Sequence, residues 1–282
     1  MLRIAVPNKG ALSRASIDIL KEAGYKQRPG DRELTCVDEP NKVTFFYLRP
    51  SDIATYVGSG ELDLGITGRD LATNSNANAD EILGLGFGRS TFRYAAPPGN
   101  AETIADLQGS RIATSYDNLV RRNLAQHGID ADIVHLAGAV ENAISLGVAD
   151  AVADVVETGG TLRQAGLEVF GEPILKSEAV LVRQPEEDGN EAGIQQLLRR
   201  LRGVLMARQY VMLAYDVRAE LLEDAAAVTP GIESPTVSPL HREGWVAVQA
   251  MTSREHLHRA MDQLYELGAR GILATNIDAC RL

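Results

Sequence analysis

The sequence predicts an α/β protein whose last part folds as a separate ferredoxin-like domain. Three observations carry that reading. Short apolar runs alternate with helically spaced ones through the first 90 residues, the pattern of a layered, largely parallel sheet. A second alternating series starts near Phe92. From residue 210 the rhythm changes to strand–helix–strand–strand–helix–strand, the ferredoxin-like order.

Residues 2–7 form a short apolar strand, Asn8-Lys9-Gly10 a loop, and ALSRASIDILKEAG a helix stopped at Gly24. VTFFYL is the next strand, and SDIATYVGSGELDLGIT reads as a helix, a turn and a buried strand at 62–66. In the second series, 110–115 is a strand and NLVRRNLAQHG a helix ending at Gly128. Residues 132–136 are a strand, AVENAISLGVAD a helix and ADAVADVV a strand ending in Asp154, before ETGGTLRQAG turns into a helix. Apolar runs at 174–175 and 179–182 continue the pattern, and polar residues 183–193 form a surface loop before the helical IQQLLRRLRGVLMA. Past it, QYVMLAYDV is a strand and RAELLEDAAAV a helix. IESPTVSPL, with two prolines, is an edge strand, and WVAVQAMT follows as a strand. SREHLHRAMDQLYELG is a helix with Ser253 as N-cap and Gly268 as stop, and RGILATNIDAC is the final strand.

Composition narrows the functional classes. The 282 residues are 45% hydrophobic and 23% charged, ordinary for a globular protein. A net charge of −10 argues against non-specific nucleic-acid binding, yet a local basic cleft still suits a phosphate ligand. Cys36 and Cys280 stand far apart, with no CxxC pair or Cys/His cluster, so no metal ligand is assigned to the protein and a reducing cytoplasm is the expected compartment. The opening residues lack the apolar core of a signal peptide, and no apolar run is long enough to span a bilayer. The five histidines, His127, His135, His241, His256 and His258, show no triad or metal spacing, and no G-x-S-x-G elbow surrounds Ser115, Ser145 or Ser234.

The most informative stretch is AVADVVETGGTL. A strand leads to Asp154, then a loop with Gly159 and Gly160 lets the backbone approach an anion, and Thr158 and Thr161 offer hydroxyl donors before a helix begins. A carboxylate for a diol beside amides for a phosphate suits a ribose 5-phosphate. An ordinary capped strand–turn–helix reads equally well from the loop alone. Neither Walker A nor G-x-G-x-x-G is present; GLGFG at 84–88 lies in a strand-like stretch and reads as structural. Lys9, Arg32 and Arg49 flank strands where they can face the cleft at a sheet's carboxyl edge and together form a pocket for pyrophosphate.

DVVETGGTL resembles the phosphoribosyl-diphosphate loop of the ATP phosphoribosyltransferases, the enzymes that open histidine biosynthesis. RIAVPNKGALS, RPSDIATYVGSGELDLGITGRDL, RIATSYDNLVRRNLAQHGI and GAVENAISLGVADAVADVVETGGTLRQAGL resemble further family segments in the family's order, and the C-terminal part resembles that of the long form, which works without a separate regulatory subunit. The resemblance implies a two-lobed, periplasmic-binding-protein-like catalytic part: lobe one is 1–90 with 179–206, lobe two is 91–178, and 207–282 is regulatory. It implies transfer of the phosphoribosyl group of 5-phosphoribosyl 1-diphosphate to N1 of ATP, with Mg²⁺ as cofactor.

By match, Asp154 holds the ribose hydroxyls, assisted by Glu141, while Glu157, Thr158, Gly159, Gly160 and Thr161 cradle the 5-phosphate. Lys9, Arg32 and Arg49 offset the pyrophosphate charge, and Tyr116 packs on a purine. Asp216, Ser234, Thr236 and Gly271 bind histidine as feedback inhibitor, and the assembly is a homo-oligomer, a hexamer exchanging with dimers. Two positions depart from the family pattern: Ala11 stands where many relatives carry Arg, and Glu157 where many carry a small residue. A non-catalytic two-lobed binder of a small anion or amino acid, and a C-terminal domain that only assembles subunits, are the rival readings.

Overall fold

The computed structural model describes residues 1–30, 32–185 and 191–281. The chain divides into two compact units, residues 1–21 with 25–194, and residues 22–24 with 195–282.

The first unit holds two sheets. Strands β1 (Leu2–Pro7), β2 (Thr35–Asp38), β3 (Val43–Leu48), β4 (Leu64–Gly68), β5 (Asp80–Gly84) and β11 (Ala179–Arg183) make a six-stranded sheet in the order β2-β3-β1-β4-β11-β5. Its central strands β3, β1 and β4 are parallel, and the outer three pair antiparallel. The parallel strands are connected by α1 (Ala11–Glu22) and α2 (Pro50–Gly58), and α3 (Arg69–Ser75) follows β4. Ile53 and Val57 of α2 pack on Ala5, Val180 and Val182, so the near-continuous apolar strands are those covered by a helix.

Strands β6 (Ser90–Ala96), β7 (Arg111–Thr114), β8 (Asp132–His135), β9 (Ala151–Val156) and β10 (Glu168–Ser177) form the second sheet, ordered β10-β6-β9-β7-β8. Helices α4 (Asp117–His127), α5 (Asn142–Ser145) and α6 (Gly160–Gln164) accompany it. One cluster gathers Phe92, Ile112, Leu119 and Leu124; a second gathers Ala95, Ala113, Val152 and Leu162. Alternate residues of β6 and β7 thus feed different clusters, as the two faces of a strand require. The chain passes between the sheets twice, from β5 to β6 and from β10 to β11.

The second unit takes in most of α7 (Glu191–Gln209), followed by β12 (Tyr210–Arg218), α8 (Leu222–Val228), β13 (Thr236–Pro239), β14 (Trp245–Ser253), α9 (Leu257–Glu266) and β15 (Arg270–Asn276). Its antiparallel sheet runs β13-β14-β12-β15, the ferredoxin-like order, with the proline-bearing β13 at an edge as expected.

Several local expectations are corrected. The helix expected over AVENAISLGVAD is a single turn, bounded by Gly138 and Gly147, both at positive φ. Gly84 ends β5, and 85–89 form the link to β6 rather than strand, with Gly86 and Gly88 at positive φ. β9 runs two residues past Asp154, to Val156. Of the expected loop 183–193, Arg183 ends β11 and 191–193 begin α7, while 186–190 lie outside the described residues. Ser253 closes β14, and α9 starts at Leu257 after a turn in which the His256 amide donates to Ser253 Oγ.

Candidate functional site

The stretch after β9 turns within three residues. Gly159 sits at φ +70°, a conformation that costs any other residue, and α6 begins immediately after it. No side chain caps that start, and Glu157, Thr158 and Thr161 are exposed. The first amides of a helix have no partner inside it, so those of Gly160, Thr161 and Leu162 remain available. A concavity of about 240 Å³ is lined by residues 155–162. Because α6 is only five residues long, its dipole adds little, and any anion here is held by individual amides and hydroxyls. Arg163 donates from Nη2 to the Thr158 carbonyl at 3.0 Å, bracing the turn from behind.

Asp154 lies on β9 opposite Arg93 of β6. The Val155 amide donates to its Oδ1 at 2.8 Å, and it forms no ion pair among the described residues. Burial raises the pKa of its carboxyl, and the charges of Glu141 and Asp70 raise it further, against the opposing Val155 bond. Glu141 stands at the start of α5, half-buried.

Asp70 is a site residue that sequence reasoning missed. It is 7% exposed in the first turn of α3. Ser177 Oγ donates to its Oδ1 at 2.8 Å, and the Tyr116 hydroxyl donates to its Oδ2 at 3.2 Å. Residues from both sheets therefore meet on one carboxylate. Gly68 makes this possible, since a Cβ there would stand 2.3 Å from Asp70 Oδ1. The sequence signal was the small–basic–acidic run Gly68-Arg69-Asp70 at a strand end. Tyr116 packs its ring on Phe92 at 4.9 Å between centroids, and burial, then the charges of Asp70 and Asp154, push its pKa up. The hydroxyl stays protonated, a donor throughout. The structure thus brings Asp154, Glu141, Asp70 and Tyr116 into one electrostatic neighbourhood.

The three cations gather elsewhere in this unit, at one edge of the six-stranded sheet. Lys9 follows β1 and Arg49 follows β3, neighbouring parallel strands in register at Pro7 and Leu48. The Asn8 amide donates to the Leu48 carbonyl at 2.8 Å, tying the two strand ends together. Arg32 lies in the segment before β2. All three side chains are exposed, and none forms an ion pair among the described residues.

In the second unit, Asp216 lies on β12 and Gly271, at φ +60°, is the second residue of β15 beside it; a Cβ on Gly271 would stand 3.6 Å from Asp216 Oδ2. Thr236 is not brought to that pair. Thr236 opposes Gln249, whereas Asp216 opposes Ala247. A concavity of about 460 Å³ next to Asp216 is lined by His241, Arg242, Trp245 and Arg270.

Among the described residues no group of three or more His, Cys, Asp or Glu side chains could hold a metal ion. No helix there is long and apolar enough to cross a membrane.

A family model described as ATP phosphoribosyltransferase matches residues 49–203, and one described as HisG, C-terminal domain matches residues 207–279. The ATP phosphoribosyltransferase of Salinispora tropica is 62% identical over 282 residues, covering all of both chains. That of Arthrobacter sp. is 58% identical over 286 residues, again covering both chains completely. Among solved structures, the ATP phosphoribosyl transferase (HisG:HisZ) complex from Thermotoga maritima matches with TM-score 0.61 and 25% identity, over 72% of this chain and 99% of that one.

Proposed function

The chain belongs to the ATP phosphoribosyltransferase family, and from that premise we propose that it transfers the phosphoribosyl group of 5-phosphoribosyl 1-diphosphate to N1 of the adenine of ATP, releasing pyrophosphate. This is a pentosyl transfer, and in the proposed pathway it is the first step towards histidine. One observation carries the reading on the structural side. A half-buried carboxylate with no ion pair among the described residues, Asp154, stands just ahead of an open glycine turn whose amides are unspent. The pair suits a ribose diol and its 5-phosphate.

The reaction needs no protein nucleophile. The N1 lone pair forms the new bond to the anomeric carbon while the bond to the pyrophosphate oxygen breaks and its electrons leave with that oxygen. Positive charge develops on the sugar and negative charge on the leaving group. Asp154, with Glu141 beside it, accepts hydrogen bonds from the sugar hydroxyls and steadies the sugar. The amides of residues 158–161 fix the 5-phosphate, with Glu157 contributing backbone only and turning its side chain to solvent. Lys9, Arg32 and Arg49 stabilise the departing pyrophosphate, so orientation and fixed charge supply the catalysis. The Tyr116 ring is the proposed purine platform, held by Phe92 behind it and Asp70 at its hydroxyl.

Asp154 and Glu141 fit Mg²⁺ carried on the diphosphate, because this ion commonly takes one or two carboxylates and completes its shell with phosphate oxygens and water. Bound there, it would neutralise charge on the leaving group. Two rigid lobes, 1–90 with 179–206 and 91–178, closing on the substrates would exclude water. We assign residues 207–282 to regulation, with Asp216 and the Gly271 backbone as the core of a proposed histidine site, to which Ser234 is assigned by family resemblance and from which the strand register removes Thr236. The proposed assembly is a dimer in exchange with a hexamer. The proposed compartment is the cytoplasm, which agrees with two free thiols at Cys36 and Cys280.

Incubation with ATP, 5-phosphoribosyl 1-diphosphate and Mg²⁺ tests the activity. Stoichiometric pyrophosphate and phosphoribosyl-ATP are expected, and absence of both with the substrates bound overturns the reading.

A further inference from the structure

One buried cation outside the proposed contacts ties the pyrophosphate side of the site together. Arg28 is 3% exposed, in the segment between α1 and β2. Its Nη1 donates to the Glu33 carbonyl at 2.9 Å and its Nη2 to the Asn8 carbonyl at 3.2 Å. Its guanidinium carbon lies 4.1 Å from the centre of the Tyr47 ring. Its own amide donates to the Tyr47 hydroxyl at 3.0 Å, which in turn donates to Gln27 Oε1 at 3.0 Å. Each anchor adjoins one of the exposed cations. Asn8 precedes Lys9, Glu33 follows Arg32, and Tyr47 stands two residues before Arg49.

We propose that Arg28 is a positioning residue for pyrophosphate recognition, a single planar fork that sets the backbone beneath Lys9 and Arg32 while stacking on the strand that leads to Arg49. The inference rests on the assignment of those three cations to the diphosphate. The reason is geometric. Lys9 and Arg32 are long, exposed side chains on irregular segments, and alone each would sample many positions. Their usefulness at a developing charge depends on being held before the reaction begins. The Asn8 backbone is held on both sides, by its amide to Leu48 and its carbonyl to Arg28, so the Lys9 Cα starts from a fixed point. A guanidinium can do this because its donors diverge in one rigid plane, whereas a lysine ammonium is a point charge that cannot span both carbonyls and stack as well.

The experiment uses the full chain and three proteins: wild type, Arg28→Lys and Tyr47→Phe. The last keeps the aromatic ring but drops the hydroxyl that receives the Arg28 amide. Steady-state constants are measured for each substrate, together with calorimetric binding of Mg²⁺-pyrophosphate. For Arg28→Lys the expected result is a loss of about tenfold or more in pyrophosphate affinity and in kcat/KM for the sugar diphosphate, with the KM for ATP within about twofold. Tyr47→Phe shifts the same two quantities in the same direction by a smaller factor. A general loosening of the fold would move both substrates alike. Equal changes for ATP and the diphosphate, or unchanged pyrophosphate binding in both variants, overturn the proposal. If Arg28→Lys does not fold, Tyr47→Phe decides by the same criterion. A wild-type protein without turnover removes the functional reading itself, an outcome distinct from active variants lacking the selective loss.

Discussion

In the proposed site, the cation-bearing edge of the six-stranded sheet and the glycine turn of the five-stranded sheet would offer charge to a ligand by opposite means. At the first, exposed side chains are set by a buried guanidinium and by strand ends locked in register. At the second, the backbone itself is the proposed binding surface, and Gly159 at φ +70° creates its shape. The difference predicts unlike sensitivities. Side-chain recognition tolerates changes of backbone neighbours but not of a charge or its support. Backbone recognition tolerates changes of side chain, including the departure at Glu157, but not of conformation or of the space an anion needs.

The largest expected effect tests the carboxylate that serves the glycine turn. Asp154→Asn keeps shape but donates where an acceptor is needed, and kcat/KM for the sugar diphosphate should fall by about 100-fold or more, with the KM for ATP little changed. An unaltered rate would detach the acid from the sugar. Next comes a pair of glycine substitutions read against each other. Gly160→Ala meets only Thr158 Oγ1, at 3.6 Å, so the melting temperature should hold while the KM for the diphosphate rises about tenfold, because the new methyl fills space the phosphate needs. Gly159→Ala forces alanine to positive φ and should cost roughly 1 kcal/mol of stability as well. If Gly160→Ala bound substrate normally, the turn would not be the phosphate cradle.

A smaller effect concerns pH. Burial and two neighbouring acids raise the Asp154 pKa. Between the ordinary aspartate value and the raised one the folded protein binds more protons than the unfolded chain, so Asp154 costs stability progressively as pH climbs through that window. The ionised form is the one that accepts from sugar hydroxyls. The acid limb of kcat/KM for the diphosphate should therefore lie above the usual aspartate range of about 4. Asp70→Asn removes one repelling charge and should move that limb down; a limb that stays in place assigns it to another group. The smallest effect is that of Tyr116→Phe, which deletes the hydrogen bond to Asp70 but leaves the ring on Phe92. It should lower stability by about 1 kcal/mol, seen as a shift of a few degrees in thermal unfolding, and leave diphosphate affinity unchanged.

Much of this was legible in the sequence because period and punctuation are local properties. The apolar run at 2–7, the helical spacing that ends at Gly24, and the glycine turn after β9 all announce themselves within a dozen residues. What escaped depends on distance along the chain. Ser177 and Asp70 are 107 residues apart and meet only because β10, a strand of the second sheet, passes beside α3. Arg28, set in KQRPGDRE, reads as one more solvated charge, and its burial follows from Tyr47 lying beneath it. The helix expected at 139–150 is cut to one turn, with Gly138 and Ala139 at positive φ ahead of it and Gly147 at positive φ behind it. Thr236 shares a sheet with Asp216, yet register keeps it from that residue, and register is not visible in composition.

A crystal structure with 5-phosphoribosyl 1-diphosphate and Mg²⁺ tests the central claim most directly. The account predicts 5-phosphate oxygens within about 3 Å of amides in residues 158–161, and the ribose hydroxyls on Asp154. A fully occupied ligand whose 5-phosphate lies on other groups, with the turn empty, would contradict it.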